Sequence, residues 1–476
     1  MKGIEPMSEH DYRLIADEVA AAIDAGRLRP GQQLPTQRAF ARRRGIANST
    51  AGRVYRELVA RGLVVGEVGR GTFVRAGRGT ASAVPLAEPA AARVDLELNY
   101  PVVPEQSALL AAGLAPLLRA DVLDAALRPV PVTGTADARE AFAALAAGTT
   151  TRTAPGTATG PDRPDWQPSP DDLLFAGNGR QALAAALASL VPPGQRLGVE
   201  ALTYPVVKAL AQRLGIVLVP LPVDEHGLLP DALATAARGG PLRALYLQPR
   251  LQNPLGATLS PERRAHLAAE VRRLDVPVVE DAIWSFLHPG APPLAALVPE
   301  RTVLVDSLSK RLAPGLSTGF AVVPRGLHGA VGAALRSGGS APSGFALEAA
   351  VRWIADGTLE TVAAAKRADA AQRQVLARHL LTGRRLHADP TSYYLWWELP
   401  PAWRADTFVA AAGRAGIAVT PAAAFAVGSH AALSAVRVGL ASPPVPVLTR
   451  ALATLAELAD SLPEDHLDRS GRRGGG

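Results

Sequence analysis

Between about Asp95 and Pro463 the sequence alternates short apolar, β-rich runs with Ala/Leu-rich helical patterns: LLFAG and a helix, RLGVE and a helix, IVLVPLPV, ALYLQP and a helix, then VPVVED and RTVLVDSL. Runs that are short and apolar throughout, rather than alternating, fit strands buried on both faces. Such strands separated by helices specify an α/β unit with a mostly parallel sheet. Further along, SYYLWWEL, GIAVTP and AVRVGLA predict the strands of a smaller α+β part. The expected division of this body is 95–325 for the large part and 326–463 for the small one.

The 476 residues are 48% apolar and 20% charged, enough for several domains with ample cores. The absence of cysteine excludes disulfides, thiolate metal sites and thiol nucleophiles, and fits a cytoplasmic location. No metal site is expected. Charges at Lys2, Glu5, Glu9, Asp11, Arg13, Asp17, Glu18 and Asp24 are incompatible with a signal peptide, and charges also interrupt the Ala-rich run 346–366. The chain is expected to be neither exported nor membrane-spanning.

The net charge of +7 is unevenly placed. Residues 1–78 hold 14 Lys/Arg against 8 Asp/Glu, so nearly all the excess lies in the first sixth of the chain. This asymmetry points to a nucleic-acid-binding head on a nearly neutral body. Tyr12, Ile15, Val19, Ala22 and Ile23 recur at helical spacing within 8–26. Thr36 caps a short basic helix through about Arg44, and after the turn GIAN a second helix runs from about Asn48 to Arg61. Two helices around a tight Gly-containing turn read as a helix-turn-helix, and LVVGEVGRGTFVR adds a hairpin wing, giving a winged helix-turn-helix over 8–75. Residues 76–94 are small and Pro-containing and read as a linker, 147–170 as a long loop, and 464–476 as a disordered tail.

One residue stands out chemically. The chain has 50 Lys+Arg but only four lysines, and Lys310 lies just after the buried run TVLV in DSLSKRLAPGLSTGF. Where charge alone suffices this sequence writes arginine, so a retained lysine suggests amine chemistry that guanidinium cannot perform. Lys2 is terminal, and Lys208 and Lys366 lie in helical patterns where solvated amines are expected.

The motif order resembles the MocR subgroup of GntR-family regulators, in which a winged helix-turn-helix precedes an aminotransferase-like domain of fold type I. The resemblance covers about 10–75 and 95–460 and rests on GRLRPGQQLPTQRAFARRRGI, VYRELVARGLV, GRGTFV, QNPLG, VVED, SLSK, PGL and VRVGLA. It implies double-stranded DNA as partner, with contacts from Arg38, Asn48, Ser49, Thr50, Arg53, Arg70 and Thr72. Asn48 stands where many relatives place arginine.

The resemblance also implies pyridoxal 5′-phosphate as cofactor, with Lys310 as the lysine that holds it. Asp281 would pair with the pyridine nitrogen, Asn253 would bond the phenolic oxygen, and Tyr204 would stack on the ring. Gly179, Arg180 and Gln181 would open a helix toward the phosphate, Ser309 would assist, and Arg437 would grip a ligand carboxylate. Two positions depart from the pattern. Trp284 replaces the usual Tyr three residues beyond Asp281, and Ser317 replaces the usual phosphate-binding arginine. Arg180 or Arg311 is expected to supply the missing charge. The leading expectation is a homodimeric regulator sensing an amino compound or related metabolite. The alternatives are an active aminotransferase with an attached DNA-binding module, and a cofactor-free pseudo-enzyme.

Overall fold

The computed structural model describes residues 11–24, 27–28, 32–60, 63–67, 71–74, 92–148, 166–428 and 433–463. The head contains α1 (Asp11–Asp24), β1 (Gln33–Leu34), α2 (Gln37–Arg44), α3 (Asn48–Ala60), β2 (Val64–Glu67) and β3 (Gly71–Val74). The Thr36 side chain accepts the Ala39 N–H and so satisfies one free donor at the start of α2. Gly45 ends the helix at φ 64°, a left-handed turn that a Cβ would strain. Ala51, Val54, Tyr55 and Leu58 repeat at 3–4-residue spacing and bury one face of α3 against α1 and α2. Phe40 meets Tyr55 edge to face at 5.3 Å, and the Tyr55 hydroxyl donates to the Pro35 carbonyl. β3 pairs antiparallel with both β1 and β2. Arg70, the expected wing contact, lies outside the described residues.

The body begins with β4 (Val94–Asp95). A seven-stranded sheet uses β5 (Leu173–Ala176), β6 (Arg196–Glu200), β7 (Val217–Leu221), β10 (Ala244–Leu247), β11 (Val278–Asp281), β12 (Thr302–Ser307) and β13 (Gly319–Val322), in the order β5-β13-β12-β11-β10-β6-β7. The short hairpin β8 (Val223–Asp224) and β9 (Gly227–Leu228) lies apart from it. All neighbours are parallel except β13, which runs antiparallel to β5 and β12. Every residue of β5, β10, β11, β12 and β13 is buried, because helices cover both faces. On one side Val303, Val305 and Ala321 pack under helices Gly179–Leu190, Pro205–Leu214 and Arg325–Ser337. On the other, Leu304, Phe320 and Val322 pack against helices Ala136–Ala147 and Gly344–Ala355.

The smaller unit is the antiparallel sheet β14 (Arg385–His387), β15 (Tyr394–Glu398), β18 (Ala435–Gly439) and β17 (Thr420–Pro421), with Leu395, Trp397, Val436 and Val438 packed against helices Thr358–Leu380, Ala405–Arg414 and Val445–Asp460. β4 pairs parallel with β16 (Ile417–Ala418), so the opening of the body joins the small unit. Conversely, helices Arg325–Ser337 and Gly344–Ala355, which follow the division expected near 325, pack in the layers of the large sheet. Among the described residues no helix is long and apolar enough to cross a membrane, and no His/Cys/Asp/Glu group is arranged to hold a metal ion. The expected disordered tail, the long loop between 149 and 165 and the linker up to 91 fall outside the described residues.

Candidate ligand-binding site and nucleic-acid face

The carboxyl ends of the central strands open onto a cavity of about 320 Å³, the position where open α/β sheets bind ligands. Lys310 sits in the single turn Leu308–Arg311 that follows β12, which aims its amine into this space. The amine donates to the Asn99 carbonyl at 2.6 Å, 4.4 Å from the Tyr100 ring centroid and 5.4 Å from that of Trp284. Burial, and then the charges of Arg180, Arg437 and Lys366, pull its pKa down to about 7.

Asp281 ends β11 with its carboxylate held on several sides. Oδ2 accepts the Tyr246 hydroxyl at 2.8 Å and Gln248 Nε2 at 3.0 Å, while Oδ1 accepts the Ile283 N–H at 3.1 Å. Burial nevertheless raises its pKa to about 6. An anion fixed this firmly yet this poorly solvated is suited to a cationic N–H donor from a ligand. Asn253 is buried, its N–H bonded to Gln248 Oε1 at 3.1 Å, so Gln248 positions Asn253 and Asp281 together.

Arg437 projects from β18 and joins the two units of the body. One terminal nitrogen donates to Asn253 Oδ1 at 3.2 Å; the other donates to the Glu97 carbonyl and to Thr420 Oγ1. Phe425 lies under the guanidinium at 5.1 Å, and Nε is buried without a partner. Tyr204, just before helix Pro205–Leu214, lines the same cavity; burial pushes its hydroxyl up and Arg180 opposes the shift.

The opposite wall begins at helix Gly179–Leu190. Asn178 caps it by accepting the Gln181 N–H at 3.0 Å, which occupies that amide and leaves those of Gly179 and Arg180 at the cavity. Gln181 itself does not line the cavity, and its Oε1 is buried without a partner. Facing the helix start are the hydroxyls of Ser307, Ser309 and Ser317, linked at 2.9 and 3.4 Å through Ser307. Gly319 allows the close packing here, since a Cβ on it would lie 2.2 Å from the Asn178 backbone.

Three expectations are corrected by these contacts. Arg311 turns away from the cavity: it is buried against Asp306 Oδ2 at 2.8 Å and Ser285 Oγ at 3.3 Å, so its charge is already matched. Lys366 is not a solvated amine. It is fully buried and donates to the Lys310 carbonyl at 3.0 Å and to that of Leu312. Lys208 likewise donates to three carbonyls, those of Ala423, Ala424 and Ala426, bracing the end of the short helix Ala422–Phe425. Glu97, Asn99, Tyr100, Tyr246 and Gln248 belong to the site or its support although no motif marks them. For the two lysines a signal existed, since the scarcity that singles out Lys310 applies to them equally.

On the head, Arg38, Asn48, Ser49 and Arg53 are exposed and Thr50 and Thr72 half-buried, with Arg38 on α2, Asn48 to Arg53 in the first turns of α3, and Thr72 on β3. Arg38, Arg42, Arg43 and Arg53 make no ion pair among the described residues. A helix N-terminus with short polar side chains and uncompensated guanidiniums suits a phosphate backbone and base edges.

A winged head on an α/β body whose cavity presents a buried lysine, an aspartate and a buried arginine defines a DNA-binding module joined to an aminotransferase-type body. The family profile described as "Aminotransferase class I and II" matches residues 130–455, and that of "Bacterial regulatory proteins, gntR family" matches residues 11–74. The chain belongs to the aminotransferase class I and II family and carries a GntR-family helix-turn-helix head, a combination consistent with the MocR subgroup. It is 29% identical over 453 residues, 95% of each chain, to the uncharacterized HTH-type transcriptional regulator YdeF of Bacillus subtilis. Among solved structures it is similar in fold to an archaeal alanine:glyoxylate aminotransferase, with TM-score 0.68 and 22% identity over 77% of this chain and 90% of that one. It is also similar to the α-aminoadipate aminotransferase LysN of Thermus thermophilus, solved with N-(5′-phosphopyridoxyl)-L-leucine, with TM-score 0.65 and 23% identity over 77% and 92% of the two chains.

Proposed function

We propose that the chain is a transcriptional regulator whose head binds double-stranded DNA and whose body holds pyridoxal 5′-phosphate and responds to a small amino compound. The observation that carries this reading is the Lys310 amine, held near neutrality in a cavity that also contains Asp281, Asn253, Tyr204 and Arg437. The residues fit the cofactor. Asp281 offers a well-anchored carboxylate to a pyridinium N–H, Tyr204 an aromatic face, and Asn253 an amide next to the reacting amine. The free amides of Gly179 and Arg180, the three serine hydroxyls and the Arg180 side chain offer donors to a phosphate. When bound, the cofactor supplies an aldehyde and an electron-withdrawing ring. Lys310 supplies the attacking amine, and Arg437, with its unpaired Nε, takes a ligand carboxylate.

Sensing is favoured over sustained turnover by Trp284, which lines the cavity beside Lys310 where the family pattern has a tyrosine and so lacks the phenolic hydroxyl of that position. A homodimer in the cytoplasm completes the proposal: DNA access demands the latter, and exposed Val102, Leu118 and Leu127 offer apolar surface for the former. The test is an absorption spectrum with added pyridoxal 5′-phosphate. A visible band, lost in Lys310→Ala and trapped by borohydride as a mass increment on the Lys310 peptide, is expected; a colourless wild-type protein, or an adduct elsewhere, would remove the cofactor from the proposal. Gel-shift binding to DNA that weakens with salt tests the head separately.

A further inference from the structure

Three acidic residues line the cavity, and two of them have hydrogen-bond or ion-pair partners within the chain. Asp281 accepts three donors, and Asp306 pairs with Arg311 at 2.8 Å and accepts the Ser307 N–H. The third, Glu97, is different. Its backbone carbonyl accepts from Arg437 and its N–H donates to Asp95 Oδ1 at 2.8 Å, which fixes the main chain at the cavity wall. Its carboxylate accepts no hydrogen bond and makes no ion pair among the described residues. It is half-buried, and burial together with Asp95 makes its ionised form less comfortable, while Arg437 offsets only part of that.

We infer that Glu97 selects the ligand: the body takes an amino acid that carries a second amino group, its carboxylate on Arg437 and its distal cation on the Glu97 carboxylate. This rests on the proposed function for the site but adds a class of ligand to it. The charge arrangement also disfavours competitors. A dicarboxylic amino acid would bring its second anion toward Glu97 with no free cation beside it, since Arg437 is occupied by the first. A neutral side chain would leave the half-desolvated Glu97 unpaired, forfeiting the contact without being repelled.

The test titrates the cofactor-loaded protein with L-lysine, L-ornithine, L-norleucine and L-glutamate, following the visible spectrum and, in parallel, the thermal midpoint. Lysine or ornithine is expected to bind about tenfold or more tightly than norleucine, which has nearly the same length without the charge, and glutamate most weakly. Glu97→Gln is expected to bring lysine and ornithine affinity down to that of norleucine, which serves as the internal reference, and Glu97→Asp to retain the preference in part. Equal binding of lysine and norleucine by wild-type protein, a preference unchanged in Glu97→Gln, or no response to either diamino acid would overturn the inference. Absence of the visible band would count against the cofactor reading alone, because the thermal midpoint still ranks the four ligands.

Discussion

A lysine attacks an aldehyde only as the neutral amine, and Lys310 reaches that form through its surroundings. With the pKa drawn down to about 7, roughly half the molecules hold a neutral amine at neutral pH, against on the order of one in a thousand or fewer for an ordinary lysine. The rate of cofactor capture, followed by the growth of the visible band, is therefore expected to rise with pH up to about 7 and then level off; a rise continuing to pH 9 or 10 would mean the amine is not perturbed. Among the described residues Arg180 is the one cation beside the start of helix Gly179–Leu190 that lines the cavity without an ion pair, since Arg311 pairs with Asp306. Arg180→Ala is expected to weaken cofactor affinity by about 10- to 100-fold, the range of one charge-assisted contact, as read by equilibrium dialysis. Lys366 makes a stability prediction. Burial holds its pKa at about 7, with Asp369 opposing, so the native state releases this proton at lower pH than the unfolded chain does. Between about pH 7 and 10 the unfolded state then binds more protons and stability rises with pH; below 7 both states are protonated and the penalty is constant. The thermal midpoint is expected to climb from about pH 7 to 9.5, less steeply in Lys366→Met. The scarcity of lysine made Lys310 legible in the sequence. Glu97 and Asn99 were not legible, because they reach the site through contacts with Arg437 and Lys310 that lie 340 and 211 residues away in the chain.

Elements with a clear period or a clear stop were readable. Thr36 and Gly45 bound α2 where a cap and a left-handed turn are demanded, and each apolar run from LLFAG to RTVLVDSL supplies a strand of one sheet, with the end of IVLVPLPV passing into the separate hairpin β8–β9. The strand β13 is not legible in the sequence, because GFAV is short and follows a Pro/Gly-containing loop, and because an antiparallel member gives no separate signal in a parallel pattern. Helix Thr358–Leu380 was readable as a helix, but not the burial of Lys366 on it, since helical spacing says which residues share a face and not which neighbours cover it. The exposed start of α3 carries the element-scale prediction. Arg53→Ala is expected to weaken operator binding measurably and to flatten the salt dependence by about one phosphate contact, with the thermal midpoint unchanged because Arg53 takes no part in the head's core. Thr36→Ala, by contrast, is expected to destabilise the protein by about 1 kcal/mol in chemical denaturation.

At the scale of the whole molecule, the cavity and the chain leading to the head share a single strap. Residues 94–100 are the first continuous part of the body: Val94 and Leu96 N–H groups bond the Gly416 and Ala418 carbonyls, the Ser442 hydroxyl links the Tyr100 N–H to the Leu98 carbonyl, and the Ala441 N–H meets Asn99 Oδ1. Into this strap the cavity sends its two principal cations, Lys310 to the Asn99 carbonyl and Arg437 to the Glu97 carbonyl. With pyridoxal 5′-phosphate held on Lys310 the amine would no longer be free to donate to Asn99, and a ligand carboxylate would compete for the Arg437 guanidinium, so on the proposed function both bonds would be weakened in the loaded state. A differential of this kind is what an effector needs to shift an equilibrium, and couplings of about 5- to 150-fold in affinity are usual. The wing also touches the small unit, with Arg404 stacked 4.3 Å over Phe73, which gives a change in that unit a route to the head. Hydrogen exchange over residues 94–100 and 437–442 is therefore expected to quicken when cofactor and ligand are added, in step with a change in DNA affinity. Ser442→Ala, which cuts the strap's side-chain link without touching the cavity, is expected to reduce the ligand-dependent part of that change. If DNA affinity responds to ligand while exchange in the strap stays constant, the signal travels by another path.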